Sequence, residues 1–195
     1  MKAIRQGFSR LTDFRGRDRR RQFWPYAGVV VALVYVGLAL AMVPVLAGLI
    51  TETMTYAAAH PDQVTVVAGP GYYSVGIHDP NAMSMPDFRL FFMVMTVAVV
   101  LLVSLLAAAV TRRLHDMGRA GWWGLPPVVF LATALVLFPR MMDQTMQAEV
   151  DAPSLALFFL LFINNVIYIL CLLALIVMLG MESTRGPNRY GPEPD

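Results

Sequence analysis

TRRLHDMGRAGWW, residues 111–123, places several ionisable residues between two long apolar runs. Residues 90–110 before it carry no charge, and the chain is apolar again from Trp122 to Phe138. A helix crosses a hydrocarbon core about 30 Å thick with about 20 apolar residues, each rising about 1.5 Å. A polar knot between two such runs belongs at a membrane surface, and the rest of the chain can be read outward from it.

The composition agrees. Of 195 residues, 57% are hydrophobic and 14% charged, against roughly 45–50% apolar and roughly 25% charged in a soluble domain. The class is integral membrane. A first charge-free run covers residues 27–50, with Pro44 expected to kink or loosen its last third and with Gly37 and Ala41 as a small-residue pair. The second run is 90–110, interrupted only by Thr96 and Ser104, whose hydroxyls can bond back to helix carbonyls. The third, 122–138, opens on Pro126 and Pro127 and is expected to end at Pro139; it is short, so re-entry is the alternative to a span. The fourth is 154–181 and holds the single cysteine, Cys171, which is expected simply to pack there. One cysteine excludes a disulfide framework and a cysteine-rich metal site.

Between the runs lie connections 51–89 and 139–153, both leaning acidic. The first carries turn chemistry in GPGYYSVG (69–76) and in Asp79-Pro80, and a candidate strand in VTVV (64–67), so a small, partly ordered cap is expected. The N-terminal arm, 1–24, holds eight of the fifteen lysines and arginines. Its Ile4, Phe8 and Leu11 recur at helical spacing, which fits either a short interfacial helix or a solvated topogenic arm. The knot adds three cations and the tail, 182–195, two, whereas each of the two acidic connections has one. By the positive-inside rule both termini and the knot face the cytoplasm and residues 51–89 and 139–153 lie outside. The indole rings of Trp24, Trp122 and Trp123 suit the interface.

Three chemistries are open to the knot. On a helix continuing from the second run, Arg112 and Arg113 stand four and three residues before Asp116, so both can reach one carboxylate. Gly118 is a natural terminator. The plainest outcome is a charged helix end, tethered by Arg–Asp pairs and anchored by Trp122 and Trp123. Alternatively, Arg112, Arg113 and Arg119, with Arg17, Arg20 and Arg21 of the arm, hold an anionic phospholipid head group. The third option makes His115 and Asp116 an acid–base or metal pair, but neighbours on a helix point about 100° apart. His60 and His78 are expected across the membrane, so no metal site assembles, and no catalytic residue is assigned. Nothing calls for a cofactor or a nucleic-acid partner, and no phosphate-cradling, serine-nucleophile or HExxH motif occurs. Within the fourth run, Asn164 and Asn165 are the most polar residues; they suit hydrogen bonding between helices, or the lining of a solute path. No Asp, Glu, Lys, Arg or His lies inside any of the four runs, which withholds what an ion-coupled transporter usually needs. In the tail, GPNRYGPEP (186–194) has a proline-restricted backbone. It is expected either to fold back so that Asn188, Arg189 and Tyr190 meet the knot, with Arg189 and Tyr190 near Asp116 and the tryptophan pair, or to fray.

Three stretches together carry a resemblance: FRGRDRRRQFW (14–24), RRLHDMGRAGWW (112–123) and GPNRYGPEP (186–194). In order and placement they resemble the opening, centre and ending of the small bacterial inner-membrane proteins of the YhaH type, classed as domain of unknown function 805. Gln22 stands where that pattern has an acidic residue, removing one partner for the nearby arginines, and Glu193 where it has Asp. The resemblance implies location and architecture rather than an activity.

The expectation is thus an all-α, four-span inner-membrane protein with a basic arm (1–24), a membrane domain (25–181) and a cytoplasmic tail (182–195). It would act without catalysis, binding the lipid bilayer through anionic phospholipid, or a membrane-protein partner. A small-solute transporter or channel and a membrane enzyme using His115 and Asp116 are the alternatives.

Overall fold

The computed structural model describes residues 2–77, 88–147 and 152–193. Five helices account for most of it: α1 (Lys2–Ser9), α2 (Arg20–Ala59), α3 (Arg89–Asp116), α4 (Leu125–Gln147) and α5 (Ala152–Gly180). Each of α2 to α5 is long and apolar enough to cross a membrane. The chain is an all-α polytopic membrane protein. Among the described residues it also contains an antiparallel hairpin of β1 (Val64–Gly69) and β2 (Tyr72–Ile77), paired from Val64 with Ile77 to Gly69 with Tyr72.

The helices run further than hydropathy alone indicates. α2 continues past Ile50 to Ala59, where Thr51, Thr53 and Thr55 each turn their hydroxyls back onto carbonyls four residues earlier, at 2.8, 2.9 and 2.8 Å. Those bonds let a polar stretch stay helical. The connection expected from residue 51 is therefore helix for its first part, and VTVV opens β1. Pro70 and Gly71 form the tight turn, with Gly71 at φ 83° where a side chain would be strained. Asp79-Pro80 lies outside the described residues.

Pro139 was expected to end the third apolar segment and does not. It sits inside α4, which continues to Gln147. A proline removes one amide and crowds the preceding turn, but it need not stop a helix held by a neighbour, and α4 packs along α5. At 23 residues, α4 is about 35 Å long, enough to cross. Asn164 on α5 is buried and its Nδ2 donates to the Phe130 carbonyl of α4 at 3.0 Å, the interhelical role expected of it.

The tightest packing sits at the knot end. Phe23, Tyr26, Ala27 and Val30 of α2 meet Ala109 and Leu114 of α3 and Leu175 and Leu179 of α5. The Tyr26 hydroxyl, buried in this cluster, donates to the Leu105 carbonyl at 2.7 Å. Along the rest of their length the helices expose Leu, Val, Ile and Phe, as lipid-facing surfaces do. The arm is docked rather than free: Phe8 sets its ring edge-on to Tyr26 at 5.2 Å, and Gly7 lies directly over the same ring. A Cβ at Gly7 would fall 2.2 Å from Tyr26 Cδ2, closer than any real contact.

That contact gives a test. Gly7→Ala should lift α1 from α2, and overpacking of this kind costs about 1–3 kcal/mol. Amide exchange across residues 2–9 should accelerate while α2 to α5 keep their protection; unchanged exchange at the arm would mean that Gly7 does not set its docking.

Candidate functional site

α3 ends at the knot, and the sequence dictates how. Gly118, at φ 72°, takes the left-handed position after the last turn; its amide bonds the His115 carbonyl at 2.9 Å and that of Arg119 bonds Leu114 at 2.9 Å. This paired closure is a Schellman cap, which glycine favours because it lacks a Cβ. The chain then turns through a short 3₁₀ segment, Gly121–Gly124, into α4.

Beneath that cap lies a buried cluster of three arginines and two aspartates, Arg17, Asp18, Arg112, Arg113 and Asp116. Asp116 is fully buried and is its centre. Arg17 Nε donates to its Oδ1 at 3.1 Å, Arg113 Nη1 to its Oδ2 at 2.5 Å, and the Ser183 hydroxyl also donates to Oδ2. Arg112 does not join this carboxylate, although its spacing allows it. It points toward the arm, where Nε donates to Asp18 Oδ2 at 2.7 Å and Nη1 to the carbonyls of Arg10 and Asp13. The local i to i+4 pairing loses to a partner 94 residues away. Arg10 in turn pairs with Asp13 and Asp18, and its hydrogen bond holds the Asp13 carboxyl below the usual range.

The remaining guanidinium donors go to carbonyls that helices leave unpaired at their C-terminal ends. Arg113 donates to Leu179 at 3.0 Å and to Met181, and Arg20 to Gly180 at 3.2 Å, so the end of α5 is closed by side chains from α3 and α2. The end of α3 is closed from both termini of the chain. The Asp18 amide bonds the Arg112 carbonyl, the Thr184 amide and hydroxyl bond the Asp116 carbonyl, and Asn188 Nδ2 bonds the His115 carbonyl at 3.0 Å. Cations at these ends also oppose the helix dipoles.

The tail crosses the knot, but not where the sequence suggested. Asn188 and Gly191 pair backbone to backbone around a tight turn. Tyr190 then lies flat on the His115 ring, 3.8 Å between centroids and 5° between planes, instead of reaching the tryptophans. Arg189 stacks over Tyr190 and donates to the Gly118 carbonyl at 3.3 Å. Arg17 donates to the carbonyls of Thr184 and Gly186, both at 2.7 Å, while Glu193 pairs with Arg19 at 3.1 Å. Gln22, where the family pattern is acidic, caps α2 by accepting the Arg19 amide at 3.0 Å.

Each candidate residue thus has a place. Arg17, Arg112, Arg113 and Asp116 are brought together and sealed; no head-group phosphate can reach them without displacing protein partners. His115 and Asp116 diverge: the His115 ring sits under Tyr190 with Nδ1 3.3 Å from the Gly16 carbonyl, and both Asp116 oxygens are engaged elsewhere. They form no common cleft. Trp122 and Trp123 are exposed and stacked on each other at 4.6 Å, with Arg119 over Trp123 at 5.7 Å. Arg20 and Arg21 are exposed, and with Arg19, Glu182, Ser183 and Glu193 they line a shallow pocket of about 390 Å³. Asn165 is apart from all of these, at an apolar groove between α3, α4 and α5. Sequence reading missed Asp18, Thr184 and Ser183, close in the chain to motif residues but distant in it from their partners Arg112 and Asp116, and Arg10, which supports Asp18 from within the arm. Asp18 lies within the first family-like stretch, which was the available signal.

The family model described as protein of unknown function (DUF805) matches residues 11–192, a range that contains all five residues of the buried cluster. No curated protein and no solved structure matches the chain.

Because removing one partner strands buried charge, Asp116→Ala should cost about 3–5 kcal/mol and lower the melting temperature of the purified protein sharply. Tyr190→Ala should leave the melt near wild type but raise amide exchange across residues 184–191. A melt of the Asp116 variant that overlays wild type would contradict the central role of that carboxylate.

Proposed function

We propose that this chain, which belongs to the DUF805 family, is a non-catalytic component of the bacterial inner membrane that binds anionic phospholipid through the exposed arginines around its knot. One observation carries the reading: the arginines divide into two populations. Arg17, Arg112 and Arg113 are buried and fully engaged, whereas Arg21, Arg119 and Arg185 are exposed at the same end of the helices. The first group builds the scaffold and the second remains for a ligand. Guanidinium matches phosphate oxygens in a bidentate way, and Arg119 stands beside the exposed indole pair, a placement suited to head-group depth.

Charge distribution supports the same reading. Residues 1–24, 111–123 and 182–195 hold thirteen Lys and Arg against six Asp and Glu, while residues 51–89 and 139–153 hold two against seven. The positive-inside rule then sets the knot and both termini in the cytoplasm. There the inner leaflet's anionic lipids attract each nearby cation by about 1 kcal/mol.

Two measurements test this. Single cysteines replacing Ser74 and Gln147 in a Cys171→Ser background should react with an impermeant thiol reagent on intact cells; protection of both, with labelling near a terminus, reverses the orientation. Native mass spectrometry should find phosphatidylglycerol or cardiolipin on the purified protein. Retention should fall roughly fivefold for each of Arg21→Gln, Arg119→Gln and Arg185→Gln. Equal retention by wild type and the triple variant refutes the lipid site.

A further inference from the structure

Asn165 is a polar group of the membrane helices for which the fold supplies no partner among the described residues. Its neighbour Asn164 is buried and bonded, whereas Asn165 is exposed and its amide has no hydrogen-bond partner among the described residues. It lies near the middle of the span Leu155–Gly180, where hydrocarbon offers no partner either. An amide left so is unfavourable in lipid. Something outside the chain is expected to satisfy it.

The residues around it indicate what. Phe158, Phe162, Asn165, Ile169, Leu172 and Ile176 follow one another at spacings of four, three, four, three and four. That is the alternation that keeps a single stripe facing a partner helix in a left-handed helix pair. None of the six is buried: Leu172 is half-buried and the others are exposed. The buried positions of α5, Leu161, Asn164, Leu175 and Leu179, adjoin the stripe along one side. The stripe is large and apolar except at one position. A lone asparagine in such a seam fixes register and the number of helices, and a carboxamide, being donor and acceptor at once, is its own complement across a two-fold axis.

We infer that the chain pairs with a second copy of itself along this α5 stripe, with the two Asn165 amides hydrogen-bonded to each other within the bilayer. Phe158, Phe162 and Asn165 also form a wall of the apolar groove of about 530 Å³ that α3 and α4 complete. The partner helix therefore lies against a recess rather than a flat surface. This pairing is independent of the lipid reading, since the stripe and the exposed arginines share no residue.

The experiment uses full-length protein in lipid nanodiscs or mild detergent, labelled in two colours and followed by energy transfer on dilution. Wild type should dimerise. Asn165→Leu should raise the dissociation constant roughly 3- to 30-fold, the span of measured interhelical side-chain hydrogen bonds, and Asn165→Gln should recover much of that loss. In a Cys171→Ser background, Ile169→Cys should form an intermolecular disulfide under mild oxidation, whereas Leu170→Cys, a neighbouring exposed position off the stripe, should not. A monomer at every concentration overturns the inference. So does a dimer that cross-links through Leu170→Cys in preference to Ile169→Cys, and so does a monomer whose Asn165 holds a co-purified lipophilic molecule lost in Asn165→Leu.

Discussion

A fully buried Asp116 carboxylate at the end of a membrane helix is the constraint on which the knot end depends. Taking a carboxylate out of water costs several kcal/mol even after relaxation, so this one is tolerable only with its oxygens covered. α3 itself supplies one cation, Arg113, three residues earlier. The other oxygen needs Arg17, from before α2, and Ser183 adds a hydroxyl from after α5. One charge thus draws the beginning, the centre and the end of the chain to a single point. The two helices that deliver the flanking segments, α2 and α5, are fixed at this end by the same requirement.

The cluster is not electrically neutral, since three arginines face two aspartates within it. The excess is balanced by dipoles. Arg113 reaches the Leu179 and Met181 carbonyls and Arg17 those of Thr184 and Gly186, while Arg112 takes two carbonyls of the arm. Helix ends carry partial negative charge and orphaned acceptors, so the guanidiniums serve as caps and as counter-ions at once. A lysine could offer charge but not the fork of directed donors that spans two segments. This is why a run rich in arginine, rather than any basic run, appears in the arm and the knot.

Much of this was legible in the sequence and some was not, for separable reasons. Span number followed from the length of charge-free runs, because a bilayer imposes that length on any helix that crosses it. Gly118 as terminator, VTVV as strand and the bonded role of Asn164 followed from local chemistry. Helix ends were misplaced where local rules met a neighbour: Thr51, Thr53 and Thr55 look like loop residues until their hydroxyls turn inward, and Pro139 looks like a stop until α5 lies alongside. The pairing of Arg112 with Asp18 could not be read from spacing, since four-residue logic sees Asp116 first. The position of Tyr190 on His115 was equally out of reach, because a flat ring in a tail finds whichever exposed ring the turn at Asn188 brings it to.

Residue type alone did not separate structure from function; the state of each group's hydrogen-bonding capacity did. Arg112 and Arg119 sit in the same short stretch and look equivalent in sequence, yet one spends its donors on Asp18 and the arm while the other rests exposed on Trp123. Asn164 and Asn165 are adjacent and chemically identical, yet one is bonded to Phe130 and the other is exposed with no partner among the described residues. A saturated group resists any ligand, because binding must first break good bonds inside a low-dielectric site. An unsaturated group in an apolar setting works the other way, since its desolvation is already part of the fold and a partner only has to complete it. The same accounting therefore assigns Arg17, Arg112 and Arg113 to the scaffold and leaves Arg119 beside Trp123 and Asn165 on α5 with capacity for a further partner.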